Sequence, residues 1–139
     1  MEIPDDALVR LKKLDASIGA IDYAMDNGYG CIARQNDKIL WCGLGCTLVK
    51  RGVLANMKDP WFETSYSWRI KEPFELERID NPSKYGGHDI NFCIKAREMG
   101  FEIKQLGEFE ARHLRCSYLE RGRTNNETFE IKELPPITK

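Results

Sequence analysis

The sequence has no long hydrophobic run and no excess of either charge. No apolar stretch approaches the roughly 18 residues that a membrane span requires. Basic residues number 21 and acidic residues 22, and they are interspersed, whereas a nucleic-acid-binding protein normally carries a basic face. The first residues contain neither a basic region nor an apolar core, which argues against a signal peptide. We therefore expect a soluble, cytoplasmic protein with no membrane span and no nucleic-acid partner.

The sequence also lacks a CxxC pair. Its five cysteines are an odd number and follow no secretion signal, so we expect reduced thiols. A structural zinc site formed by Cys31, Cys42, Cys46 and a histidine is an alternative, although the cysteines of such sites usually occur in more closely spaced pairs. Free cysteines of this kind ordinarily serve as small apolar residues in the core.

Internal repeats and low-complexity segments are absent as well, and the composition is that of a globular domain. The 139 residues are 42% hydrophobic and 31% charged, which is not the composition of a disordered chain. A chain of this length folds as one domain around one core. We expect this domain to occupy residues 1–115, with residues 116–139 forming a charged C-terminal tail or extension.

The hydrophobic pattern predicts an α/β fold with a mixed sheet and flanking helices. Residues 4–14 and 50–57 have helical patterns, and a third helix follows Gly87 and ends at Gly100, a residue typical of helix C-termini. Short apolar or alternating runs predict strands over 18–24, 31–34, 101–106 and 109–114, a strand, bend and strand over 39–49, and a half-buried strand beginning near Tyr66.

The helix after Gly87 carries the most informative carboxylate of the sequence. At about 100° per residue its apolar residues form one broad arc, and Asp89 projects into the middle of that arc. Asn91, Lys95 and Glu98 are predicted to form the opposite, polar face. An inward carboxylate in a first helical turn is either a cap for free N–H groups or a general base at the floor of a cleft.

Two other segments have alternative interpretations. The loop cluster Pro60-Trp61-Phe62 is either core filler or a stacking platform for a ring-shaped ligand. Gly43 and Gly45 lie in an apolar run, where glycine allows a ligand or another strand to approach the backbone closely.

Several stretches, in this order and at this spacing, resemble the C-terminal half of a glycosyltransferase of the GT-A fold, most like the family 2 group. Ile3-Pro4-Asp5-Asp6-Ala7-Leu8 is similar to the helix that follows the family's DxD motif. Residues 42–51, CGLGCTLVKR, resemble its glycine-rich strand pair, and Pro60-Trp61-Phe62-Glu63 resembles its acceptor-side aromatic segment. Residues 86–101, GGHDINFCIKAREMGF, resemble the "G-E-D-x-D-F-C…A-x-x-x-G" box, and Arg112-His113-Leu114 falls where the family has a late histidine.

The resemblance implies a partial GT-A domain that transfers a sugar from a nucleotide-sugar donor to a hydroxyl of a sugar or glycan acceptor. Asp89 falls on the aspartate that takes the acceptor proton, a role that suits a carboxylate. His113 falls on a ligand of the divalent metal, Mn²⁺ or Mg²⁺, for which neutral imidazole is suited. The residues implied in substrate binding are Gly43, Gly45, Trp61, Phe62, Glu63 and His88.

The sequence departs from the family pattern at three points. His88 stands where the family usually has Glu, and Asn91 replaces a common acidic residue. A DxD motif is missing from these residues; by the family pattern it would lie just before Met1, after the donor-binding half. The alternative function is therefore a non-catalytic fragment or a subunit whose site another chain completes. Loss of half a sheet would expose a strand edge and favour a homo-oligomer.

Overall fold

The computed structural model describes residues 3–24, 30–71, 75–107 and 111–112. Its helices are α1 (Ala7–Leu14), α2 (Arg51–Asn56) and α3 (His88–Glu98). Its strands are β1 (Ile18–Ala20), β2 (Tyr23–Ala24), β3 (Ile32–Gln35), β4 (Lys38–Cys42), β5 (Thr47–Val49), β6 (Tyr66–Lys71), β7 (Glu75–Asp80), β8 (Ile103–Gln105) and β9 (Ala111–Arg112).

The strands form small sheets of both orientations. β1 is the middle strand of a three-stranded sheet, antiparallel to β5 and parallel to β8. β2 pairs with β9 in parallel, while β3 with β4 and β6 with β7 form antiparallel pairs. The prediction of an α/β fold with mixed strand directions is therefore confirmed. The GT-A fold itself stays a prediction.

The core is built around β1, whose three residues are all buried. On one side, α3 packs Phe92 and Cys93 against Cys42 of β4, in a cluster that also contains Ile18. On the other, α1 contributes Leu11 to a second cluster. Full burial of a side chain the size of Phe92 is worth about 1.5–3 kcal/mol relative to exposure, so this apolar face helps to anchor α3.

Three predicted elements differ from the structure. The single strand predicted over residues 18–24 is divided into β1 and β2, which pair in different sheets. The first helix begins at Ala7 and not at Pro4; Asp5 and Asp6 lie in the preceding turn, where Asp6 pairs with Arg10 at 3.7 Å. The single strand predicted near Tyr66 is one half of the β6–β7 hairpin. The alternation in β7 was not recognised because four of its six residues are charged.

The longest described helix, α3, has 11 residues. In the part of the chain that the structure describes, no helix is long and apolar enough to cross a membrane.

Candidate functional site

Two glycines set the start of α3 and hence the place of the residues that follow. Gly86 and Gly87 have φ angles of 74° and 78°, a region that favours glycine because it lacks a Cβ. A Cβ on Gly87 would also lie 2.9 Å from Ser67 Oγ of β6. The chain therefore turns tightly past β6 before His88 and Asp89 begin the helix.

Asp89 keeps features of both roles predicted for it. Its Oδ1 accepts a hydrogen bond from the Ile90 N–H at 2.9 Å, which satisfies one free donor of the first turn. Its side chain is partly exposed, and within residues 3–24, 30–71 and 75–107 its Oδ2 has no hydrogen-bond partner and no cation pairs with it. A carboxylate held through one oxygen can accept a proton at the other.

An aromatic wall, defined here as Phe62, His88 and Phe92, lies at the start of the helix that carries Asp89. Phe62 stacks on Phe92 with ring centroids 5.3 Å apart and meets the His88 ring edge-on at 6.5 Å. Phe62 remains 49% exposed. Trp61, by contrast, packs against the core and donates its Nε1–H to the Met57 carbonyl at 3.1 Å. The stacking-platform interpretation thus fits Phe62, and the core interpretation fits Trp61.

Asn91 is buried, which corrects its predicted place on the polar face of α3. It is 1% exposed, and its Nδ2 donates to the carbonyls of Glu63 and Tyr66, each at 2.6 Å. Helical spacing groups Asn91 with Lys95 and Glu98 on the face opposite the apolar arc. Here the chain that follows Phe62 supplies both carbonyls, and the amide ties that chain to α3.

Lys95 adds a second tie between α3 and the aromatic segment. Its Nζ donates to the Pro60 carbonyl at 2.5 Å, so the segment from Pro60 to Glu63 is held to the helix at both ends. Phe62 lies between the two attachments. The helix that carries Asp89 therefore also positions the exposed ring of the wall.

Glu63 uses its carboxylate locally. Its Oε1 accepts the N–H groups of Thr64 and Ser65 at 2.9 and 2.8 Å. These bonds, led by the Ser65 N–H, lower the pKa of the Glu63 carboxyl below its usual range. The predicted contact of Glu63 with an acceptor hydroxyl would thus come from a charged carboxylate in a fixed turn.

Gly43 and Gly45, which are predicted to let a ligand or another strand approach the backbone, have different surroundings. Gly45 is exposed, whereas Gly43 is buried beneath Tyr23: a Cβ on Gly43 would lie 2.2 Å from the Tyr23 hydroxyl oxygen and 3.0 Å from Cys31 Cβ. In the structure Gly43 accommodates this phenol. Burial, with smaller contributions that include the Asp89 charge, raises the pKa of Tyr23 to about 12, so the ring stays neutral at ordinary pH.

We expect Gly43→Ala to destabilise the protein by about 1–3 kcal/mol, because the added methyl group overpacks the Tyr23 pocket. Gly43 has a φ of −69°, which alanine adopts freely, so the cost is steric. Gly52→Ala in α2 is the matched control: its Cβ meets nothing within 4 Å, and it should stabilise the helix by about 0.5–1 kcal/mol. Urea unfolding of both variants measures the difference; equal effects would contradict the Tyr23 pocket.

Asp22 is a buried acid that the sequence reasoning missed. Its Oδ1 accepts the N–H groups of Tyr23 and Cys31 at 2.9 and 2.8 Å, and a Cβ on Gly30 would lie 2.5 Å from its Oδ2. Asp22 thereby links Tyr23 of β2 to Cys31, the residue before β3. The available signal was a single acid within the apolar run from Ile18 to Ala24.

A cavity of about 260 Å³ lies at the opposite end of α3, away from Asp89. It contains none of the residues that the sequence singled out for a site. The residues that line it include two acids, two bases and apolar side chains: Asp37 and Glu102, Lys38 and Arg97, and Ile39 and Phe101.

The metal predictions find no support in the described residues. His113, the predicted ligand, lies outside them, as does Cys116. Within those residues no three His, Cys, Asp or Glu side chains are grouped to hold an ion, and the cysteines present are buried free thiols. The divalent metal stays a prediction.

Comparison of the chain with protein-family models, with curated proteins and with solved structures gives no match. The family resemblance therefore rests on the sequence motifs alone. Of the predicted site residues, the structure brings together Asp89, His88 and Phe62 at the start of α3, with Glu63 next in the chain.

Proposed function

We propose that this chain is a glycosyltransferase-like protein that moves a sugar from a nucleotide-sugar donor to an acceptor hydroxyl. The start of α3 is its acceptor side. The observation that carries the proposal is the partly exposed Asp89 carboxylate, held through one oxygen in the first turn of α3, where the exposed ring of Phe62 meets the ring of the preceding residue, His88. A fixed base next to an aromatic face suits a sugar, whose C–H face stacks on rings while its hydroxyl meets the carboxylate.

In the proposed reaction, Asp89 Oδ2 receives the proton of the attacking hydroxyl. The hydroxyl oxygen forms a bond to the anomeric carbon of the donor, and the bond from that carbon to the nucleoside diphosphate breaks. His88, at the edge of the aromatic wall, offers a neighbouring imidazole for a second acceptor contact. A divalent cation, which the resemblance implies, would neutralise charge on the leaving diphosphate.

The test is release of nucleoside diphosphate by the full chain from a panel of UDP- and GDP-sugars, with Mn²⁺ and a mixture of simple sugars as acceptors. We expect acceptor-dependent release with at least one donor. A chain that binds a donor but releases no diphosphate with any acceptor would contradict the proposed base at Asp89. A chain that binds no donor would contradict an independent enzyme.

A second candidate is a subunit that another copy of the chain completes. The observation in its favour is a set of exposed aliphatic side chains on and before α1, called the α1 patch here: Ile3, Leu8 and Val9, which are 50%, 60% and 55% exposed. Adjacent exposed aliphatic side chains often mark a protein interface. A second copy is the proposed occupant.

We expect sedimentation velocity at micromolar concentration to show a dimer, and Leu8→Gln to shift it towards monomer, because the substitution removes apolar contact area from the patch. Lys13→Gln, another exposed position of α1, should leave the dimer intact. A compact monomer for the unmodified chain at this concentration would contradict the subunit candidate.

A further inference from the structure

Two buried cysteines face each other across the core. The Sγ atoms of Cys42, at the end of β4, and Cys93, in the middle of α3, are 3.8 Å apart, and both residues have no exposed surface. The Cys42 N–H lies 3.5 Å from Cys93 Sγ, and Cys93 Sγ lies 3.6 Å from the Cys42 carbonyl. The two residues are thus joined by several contacts and not by one chance approach.

The proposed sugar-transfer reaction does not use this pair, although the pair adjoins its site. Cys93 is one helical turn after Asp89, and the Asp89 charge acts on its thiol. Cys31 and Cys46 are also buried free thiols. Among the cysteines of the described residues, Cys42 and Cys93 are the pair whose sulfur atoms are in contact.

We propose that Cys42 and Cys93 are an oxidation site, at which a hydroperoxide converts the two thiols into a disulfide that links β4 to α3. A disulfide needs its sulfur atoms about 2.0 Å apart, so the two Sγ atoms, now 3.8 Å apart, must approach by less than 2 Å. The bond would join elements that already pack together.

The reaction balances with hydrogen peroxide as the oxidant. The sulfur of Cys93, after losing its proton, attacks one peroxide oxygen; the O–O bond breaks, and the released hydroxide takes up a proton to become water. The sulfur of Cys42 then attacks the sulfenic sulfur, the S–O bond breaks, and a second water leaves with the Cys42 proton. Two thiols and one peroxide give one disulfide and two waters.

The surroundings of the pair favour Cys93 as the attacking sulfur. Hydrogen bonds that Cys93 Sγ can accept from the Cys42 thiol and backbone N–H lower the pKa of Cys93, whereas the same thiol contact and burial raise the pKa of Cys42. Burial, and to a smaller extent the Asp89 charge, oppose this lowering of the Cys93 pKa, and Arg97 on the next turn supports it. Since both thiols are buried, peroxide reaches them through local opening between β4 and α3.

The test uses the intact folded chain, treated with hydrogen peroxide, alkylated and digested with trypsin. Cys42 falls in the fragment from Ile39 to Lys50 and Cys93 in the fragment from Tyr85 to Lys95. We expect these two fragments to be the main cross-linked pair, to separate on reduction, and to appear together with the loss of two alkylatable thiols.

Cys46 shares a fragment with Cys42, so Cys46→Ser assigns the bond. The cross-link should persist in Cys46→Ser and vanish in Cys42→Ser. Peroxide treatment in denaturing guanidinium should scatter the cross-links over several cysteine pairs. Oxidation of the folded chain to sulfinic acid at Cys93 without a cross-link, or loss of the cross-link in Cys46→Ser, would overturn the proposal.

Discussion

Asp89→Asn is expected to reduce sugar transfer by about 100- to 10,000-fold, the usual contribution of a positioned base. The amide keeps the size of the side chain and the acceptor that binds the Ile90 N–H, but it cannot take a proton from a hydroxyl. The free energy of unfolding should therefore stay within about 0.5 kcal/mol of the unmodified chain. Diphosphate release and thermal unfolding, measured on the same preparation, separate the two quantities.

The matched control is Glu98→Gln at the other end of α3, an exposed acid whose loss should leave transfer unchanged. If Asp89→Asn lowers the melting temperature by several degrees and transfer falls only in proportion to the folded fraction, then capping is the role of Asp89. In that case the first helical turn needs the charge, and the proposed base is wrong.

Asn91→Ala is expected to destabilise the protein by about 2–5 kcal/mol, because the carbonyls of Glu63 and Tyr66 would both lose their buried donor. The cost is reduced by removal of Asn91 Oδ1, which is itself buried without a partner among the described residues. Transfer should fall as well, since the chain after Phe62 would lose its attachment to α3 and only the Lys95 bond to Pro60 would still hold the segment. Urea unfolding at constant pH measures the stability change.

Asn56→Ala is the control for Asn91→Ala. Asn56 Nδ2 also donates to a backbone carbonyl, that of Gly52 at 2.7 Å, but on an exposed face where water replaces it. Its loss should change the free energy of unfolding by no more than about 0.5 kcal/mol. Equal effects at the two positions would mean that the buried carbonyls find other donors and that Asn91 does not hold the segment.

Much of the fold could be predicted from local pattern. The helix α3 lies between Gly87 and Gly100, as its periodicity and these glycines predict. The apolar run that begins at Ile18 is a strand as expected, but it ends at Ala20, and residues 23–24 pair in a different sheet. The β6–β7 hairpin could be predicted only in part, because its second strand is mostly charged and its pairing depends on long-range register.

The candidate site could be predicted less completely, because its side chains depend on groups distant in the sequence. Asn91 is buried because carbonyls more than 20 residues earlier meet it, and no spacing within α3 indicates that. Gly43 was expected to face a ligand, yet Tyr23 covers it from a strand 20 residues away. Phe62 and Trp61 are neighbours with opposite environments, which only the packing distinguishes.

The measurement that tests the glycosyltransferase proposal most directly is a calorimetric titration of the full chain with UDP, GDP and their sugars in the presence of Mn²⁺. We expect saturable binding of at least one nucleotide sugar, displaced by the matching nucleoside diphosphate and retained in Asp89→Asn, since the base acts on the acceptor and not on the donor. No saturable heat with any nucleotide or nucleotide sugar would contradict the proposal that this chain works as a sugar-transferring enzyme.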